Sequence, residues 1–144
     1  KVFAGVDLAA PFPGEEASIG EVLLRPSVLY APAVLAAIGS GTVRGAAHIT
    51  GGGLPGNLVR ALPEGCRVLL DRSTWEVPNA FRVLQERGGI PGEAMAAAFN
   101  LGIGFCLVVA PDHAEETIRT VAAFGHDARL VGDVVAGDRG VGLP

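Results

Sequence analysis

The chain predicts an α/β layered sandwich, a mixed sheet with helices packed against it, on three observations. Short apolar, β-rich runs at 43–49, 67–71, 104–109 and 129–135 alternate with segments whose apolar residues recur at helical spacing. Glycine or proline stands at most of the changes from one pattern to the other. At 144 residues, 49% of them hydrophobic, the chain has the size of one domain that buries a core without disulfides or a metal.

Residues 1–20 carry Pro11, Pro13, Gly14 and Gly20 among small and acidic residues and read mostly as loop or a frayed lead-in. A short helix is expected over 31–39, with Pro32 in its first turn and Gly39 to stop it. The run 43–49 is β-like and ends at three glycines. A helix over 54–62 then places Leu54, Leu58, Ala61 and Leu62 on one face, and Pro63 ends it. Strand 67–71 holds the core run Val68, Leu69 and Leu70.

Helix 79–87 turns Phe81 and Leu84 inward and is closed by Gly88 and Gly89. A third helix, 92–99, has Met95 and Phe99 four apart, and 104–109 is a buried strand by its continuous apolar character. Asp112 and Glu115 have capping-box spacing and open a helix that buries Ala114, Ile118 and Val121 and closes at Gly125. Residues 129–135 supply the last strand, followed by a polar, glycine-rich tail.

The chemistry concentrates in Ala47-His48-Ile49-Thr50-Gly51-Gly52-Gly53-Leu54-Pro55-Gly56-Asn57, a strand running into bare backbone and then a helix. Backbone without side chains lets an anion approach closely, and a helix start aims unpaired amides at it. Phosphate binding and a simple tight turn are both open. The spacing is neither a P-loop, which needs Gly-Lys-Ser/Thr, nor a dinucleotide fingerprint. Thr50 offers a hydroxyl at the loop entrance, Asn57 lies one turn into the helix and Arg60 one turn further, where it pairs with a phosphate or only solvates the surface.

His48 is either a satisfied histidine at a sheet end or a substrate-facing donor or proton-transfer group. Asn100, ahead of Leu101-Gly102-Ile103-Gly104, is a ligand wall or a helix cap. Asp71 ends a strand where α/β sites gather, or caps the next turn. His113 and His126 have no partner spacing and receive no role. No His, Cys, Asp or Glu cluster has metal-ligand spacing, so no metal site is expected in the chain.

The formal net charge is −4, the arginines are scattered and Lys1 is the sole lysine, which argues against nucleic acid as a partner. The longest apolar run, 101–110, is too short to cross a bilayer, and no secretory leader is visible, so no membrane partner is expected. Cys66 and Cys106 lie in apolar runs without ligand spacing and are read as two buried, reduced thiols. The start at Lys1-Val2-Phe3 without an initiator Met suggests a piece of something longer.

Taken together, Ala46 to Gly53, Asn57-Leu58-Val59-Arg60-Ala61-Leu62-Pro63, Trp75-x-x-Pro78-x-x-Phe81-x-x-Leu84-Gln85, Glu93-Ala94-Met95 through Gly104 and Val131-Gly132-Asp133-Val134 resemble the C-terminal half of the phosphoribosylformylglycinamidine cyclo-ligase (AIR synthetase) family. The resemblance runs from about Arg25 to the C-terminus. Departures are Ser27 for the family's usual Thr in Pro-Thr-x-x-Tyr, Leu58-Val59 for Ile-Pro, Ala97-Ala98 for Arg-Thr and Arg44 for His or Lys. The last weakens any role for a second imidazole beside His48.

The resemblance implies a two-domain cytoplasmic homodimer of purine biosynthesis. ATP activates the amide oxygen of formylglycinamidine ribonucleotide, and the amidine nitrogen displaces the resulting iminophosphate to close the imidazole ring, releasing ADP and phosphate. ATP and Mg²⁺ would be bound mainly by an N-terminal domain, with 1–24 as the lead-in from it and 25–144 as the substrate- and phosphate-binding domain. Thr50, Gly51, Gly52, Gly53, Asn57 and Arg60 would then cradle phosphate, with His48 and Asn100 orienting or polarising the reacting group. The lone chain is expected to fold without turnover. Selenophosphate synthetase, thiamine-monophosphate kinase, a hydrogenase-maturation factor and formylglycinamidine synthase share the two-domain architecture. A non-catalytic module that only packs on an ATP-binding partner is the further alternative.

Overall fold

The computed structural model describes residues 2–142. Its first regular element follows from four residues. Ser18 caps helix α1 (Ile19–Leu23), its hydroxyl accepting from the Glu21 amide while the Glu21 carboxylate accepts from the Ser18 amide at 2.8 Å. The cap aims Ile19 and Val22 at Phe12 and at Val83 of a later helix, and these four form a small core of their own. Residues 1–20 are therefore not simply a frayed segment where they are described. Phe12 and Ile19 are among the most buried side chains, and Pro11 bridges to Ser18.

Ser18→Ala is expected to lower the melting temperature by about 3 °C. The Glu21 carboxyl sits below its ordinary range, chiefly through its hydrogen bond from the Ser18 amide and then from the Ser18 hydroxyl. A lowered folded pKa gives stability that is present above the ordinary carboxylate range and lost as the pH falls through the folded value. The wild-type advantage over Ser18→Ala should therefore shrink below about pH 4, as thermal melts across pH would show.

Helix α2 (Ala31–Gly39) starts on Pro32, as its sequence predicts. Strand β1 (Val43–His48) leads through the glycines into α3 (Gly53–Leu58), which tightens into a 3₁₀ turn over Val59–Ala61 before Pro63. Strand β2 (Cys66–Leu70) precedes α4 (Asn79–Gly88) and α5 (Gly92–Ala98). Strand β3 (Phe105–Val109), helix α6 (Ala114–Ala122) and strands β4 (Gly132–Ala136) and β5 (Gly140–Gly142) complete the order.

The expected helices packed on a mixed sheet are present, with the strands divided between two ladders. β1 pairs antiparallel with β3, and a second sheet runs β4-β2-β5, with β4 antiparallel and β5 parallel to β2. β5 lies in the polar, glycine-rich tail, where Gly-Val-Gly carries almost no strand signal of its own. The main core joins both ladders to α3: Ala47, Ile49, Leu54, Leu58, Leu62, Val68, Leu70, Trp75 and Cys106 are its buried members. Strand alternation then sends Ala47 and Ile49 inward and leaves His48 exposed.

Three local expectations are corrected. Asp112 and Glu115 do not form a capping box. Pro111–His113 make a 3₁₀ turn, α6 begins at Ala114 without a side-chain cap, and Thr117 is its buried residue. On α4 the deeply buried residue is Val83, drawn to the α1 core, while Phe81 is half-buried against Phe99 with ring centroids 5.4 Å apart. Cys106 is buried, Cys66 is half-buried, and both are free thiols. Burial pushes the Cys106 thiol up to about 12, so it holds little of the reactive thiolate near neutrality.

Candidate functional site

The geometry of the triple-glycine loop is set by one buried side chain. Asn57 is 6% exposed, and its Nδ2 donates to the carbonyls of Thr50 at 3.3 Å, Gly51 at 3.2 Å and Gly53 at 2.8 Å. A trans peptide holds its C=O and the following N–H on opposite sides of the plane. Carbonyls turned toward Asn57 therefore turn the amides of Gly51, Gly52 and Leu54 away from it. Among the described residues these three amides have no intramolecular acceptor, whereas the Gly53 amide donates to Thr50 O at 3.0 Å. Gly51 and Gly52 are exposed, so their amides stand at a bare surface.

The three glycines differ. Gly51 is free of positive φ, and an added Cβ would meet nothing within 4 Å. Gly52 caps α3 at φ +102°, and Gly53 has φ +60° with the end of α5 against it. A Cβ on Gly53 would stand 1.8 Å from Ala96 O and 2.9 Å from Phe99 O. That close approach places the loop beside the Phe99–Gly104 turn, and the Ile49 amide ties the two together by donating to Gly104 O at 2.9 Å.

Asn100 lies in that second turn, half-buried. Its Oδ1 accepts from the Gly102 amide at 3.0 Å and its backbone O from Ile103, so its Nδ2 is the unengaged end. Leu101 is held at φ +50°, its carbonyl accepting from the Trp75 indole at 3.2 Å. Arg60 is exposed on the 3₁₀ turn and forms no ion pair among the described residues. Asp71 caps the turn Arg72–Thr74, accepting from the Ser73 amide and hydroxyl. The hydroxyl first and the amide second hold its carboxyl below the ordinary range.

His48 sits at the end of β1 opposite Phe105, with which it stacks at 5.8 Å. Tyr30 meets His48 edge-on at 5.9 Å and packs on Phe105 at 5.8 Å and His126 at 5.5 Å. Gly104 makes that cluster possible, since a Cβ there would stand 1.9 Å from the Tyr30 hydroxyl. Burial pushes the Tyr30 phenol above its ordinary value. Neither Tyr30 nor His126 carries a spacing signal in the sequence, because the cluster joins four separate segments. Beside them opens a cavity of about 620 Å³ of mixed lining, with Val34, Leu107 and Ile118 as well as His126, Asp127 and Arg129 on its walls and none of the triple-glycine residues. Among the described residues no group of three or more His, Cys, Asp and Glu could hold a metal ion.

Comparison with known proteins places the chain in a family. Residues 4–143 match the family described as AIR synthase related protein, C-terminal domain. A protein of Pseudothermotoga lettingae named phosphoribosylformylglycinamidine cyclo-ligase is 43% identical over 124 residues, covering 86% of this chain and 36% of that protein. The protein of that name from Bacillus subtilis is 42% identical over 135 residues, 94% of this chain and 39% of its own. The trifunctional purine biosynthetic protein adenosine-3 of Bos taurus is 39% identical over 139 residues, 95% of this chain and 14% of its own. The chain thus spans well under half the length of the relatives it matches. Its α/β core, its glycine loop and the extent of the match make it a member of the AIR synthase related protein family, C-terminal domain.

Proposed function

We propose that this chain is the C-terminal domain of an ATP-dependent cyclo-ligase that converts formylglycinamidine ribonucleotide to aminoimidazole ribonucleotide, with ADP and phosphate as the other products. The observation that carries the reading is the pair of unpaired amides at the exposed Gly51 and Gly52, turned outward by the Asn57 hydrogen bonds to the Thr50 and Gly51 carbonyls. Such a nest suits the oxygens of a phosphate group. In this reading Thr50, Gly51, Gly52 and Gly53 hold phosphate, Arg60 adds positive charge from the same edge, and Asn57 supports them as a positioning residue.

His48 ends β1 just ahead of the loop, and Asn100 lies in the adjoining Phe99–Gly104 turn. Asn100 Nδ2 would donate to a carbonyl or phosphoryl oxygen, and the exposed His48 imidazole would orient the reacting group. In this reading magnesium and most ATP contacts belong to an N-terminal domain of the same polypeptide. Residues 1–24 lead in from that domain, anchored through Phe12, Ile19 and Val22 on Val83, and 25–144 form the substrate- and phosphate-binding unit. The names of the relatives support the reaction, and the homodimeric state and cytoplasmic setting of the whole enzyme are further parts of this proposal that rest on the family resemblance.

Gly51→Ile in the full-length enzyme tests it. A Cβ there meets nothing within 4 Å and the backbone has no positive φ, so melting temperature and circular dichroism should stay close to wild-type values while the larger side chain shields the amides. Turnover should fall about 10²-fold or more, the scale of losing preorganised donors. Full turnover with a folded variant would remove the loop from the chemistry. It would leave standing the module that only packs on an ATP-binding partner.

A further inference from the structure

The two glycines that close the Phe99–Gly104 turn serve different ends. Gly102 stands at φ +102°, a backbone state that glycine tolerates. Gly104 lies outside the left-handed region and is buried. What excludes a side chain there is Tyr30, whose Oη, Cζ and Cε2 would lie 1.9, 2.5 and 2.9 Å from an added Cβ. The ring reaches that gap from a fixed point, since the Tyr30 carbonyl accepts from the Val34 amide at 3.0 Å as α2 begins. Seated there, Tyr30 turns its edge to His48, with 5.9 Å between centroids and the ring planes at 64°. Phe105 covers the imidazole face at 5.8 Å and 19°. Exposed at the end of β1, that imidazole forms no hydrogen bond or ion pair among the described residues.

We infer that Tyr30 is a positioning residue for His48, and that the bare Cα of Gly104 is the seat that holds Tyr30 in place. The terminal torsion of a histidine is broad and roughly two-fold, so an exposed imidazole without a polar partner has no single orientation of its own. A flat ring on one face leaves it free to slide and swivel in its plane, and an edge set against its side removes that freedom. Phe105 supplies the face as the cross-strand partner of His48. Tyr30 supplies the edge from ahead of α2, outside the ladder. The contact is ring against ring, so the phenol hydroxyl is dispensable for it. This inference rests on the reading of His48 as the group that orients the reacting atoms.

Ring-labelled histidine in the full-length protein, followed by NMR at one fixed pH with His48 assigned from its loss in His48→Asn, tests it. Tyr30→Leu and Gly104→Ala should both move the His48 ring signals, because each takes the aromatic edge away. Tyr30→Phe should leave them in place. Turnover should fall about tenfold or more in the first two variants, the scale on which a misplaced group is felt, and stay near wild type in the third. In a His48→Asn background Tyr30→Leu should cost nothing further, since the ring it acts through is gone. Gly104→Ala should melt below wild type and recover when combined with Tyr30→Leu, which clears the overlap. Unmoved His48 signals in Tyr30→Leu would overturn the inference. So would an undiminished loss of turnover from Tyr30→Leu in His48→Asn protein, because Tyr30 would then act by another route. Wild-type turnover of His48→Asn itself would overturn the role given to His48, a failure distinct from unmoved ring signals.

Discussion

Asn57→Asp should destabilise the domain by about 3–5 kcal/mol, because it places an unpaired charge in a buried, acceptor-rich pocket. The Asn57 amide nitrogen donates to three carbonyls at 2.8–3.3 Å, and a carboxylate there would face those oxygens with nothing to give. Total stabilities of domains this size are about 5–15 kcal/mol, so the loss is a large share of it. Urea unfolding at neutral pH measures it directly. An unchanged slope with a lower midpoint is expected, and a loss below about 1 kcal/mol would mean that the loop is held by something else. Partial recovery at low pH is expected as well, since a protonated carboxyl regains one donor.

Gly53→Ala carries the second large effect, and its value lies in comparison with its neighbours. At Gly53 the added methyl would lie 1.8 Å from Ala96 O on a backbone at φ +60°, so α5 must move or the loop must open. Overpacking against main chain together with left-handed strain should cost about 3 kcal/mol or more. Gly52→Ala meets ordinary contacts but keeps φ +102°, for about 1–2 kcal/mol. Gly51→Ala should stay within about 0.5 kcal/mol, since neither strain nor contact opposes it. Chemical denaturation of the three alanine variants should rank them 53, 52, 51, and any other order contradicts this division of labour.

That ranking marks the boundary of what the amino-acid order discloses. Gly51-Gly52-Gly53 is visible as bare backbone, but which glycine admits a helix end and which stays open depends on α5, some forty residues away. Asn57 shows as a polar residue one turn into a helix. Only the loop's path reveals that its amide is spent inward, making it a support. The strands were legible from apolar runs to within a few residues, whereas their division into two ladders was not, since pairing is set by packing around Leu54 and Leu58.

The same cap spacing has opposite outcomes at two places. Ser18 and Glu21 close a reciprocal box, while Asp112 and Glu115 share the same spacing and do not, because Pro111 starts a tighter turn that shifts the helix start past Asp112. The aromatic contacts around Tyr30 were invisible for a simpler reason. They join a residue ahead of α2, the end of β1, the start of β3 and the segment after α6, and no local pattern spans those four.

Trp75 is the sole tryptophan in the chain, and its indole nitrogen is bonded to the carbonyl of Leu101, within the turn that carries Asn100. The protein thus contains its own optical gauge for that turn. Any event that tugs on residues 100–104 should perturb the polarity and hydrogen bonding of a single fluorophore. Its emission colour would follow rearrangement beside the glycine loop in untagged protein, in real time.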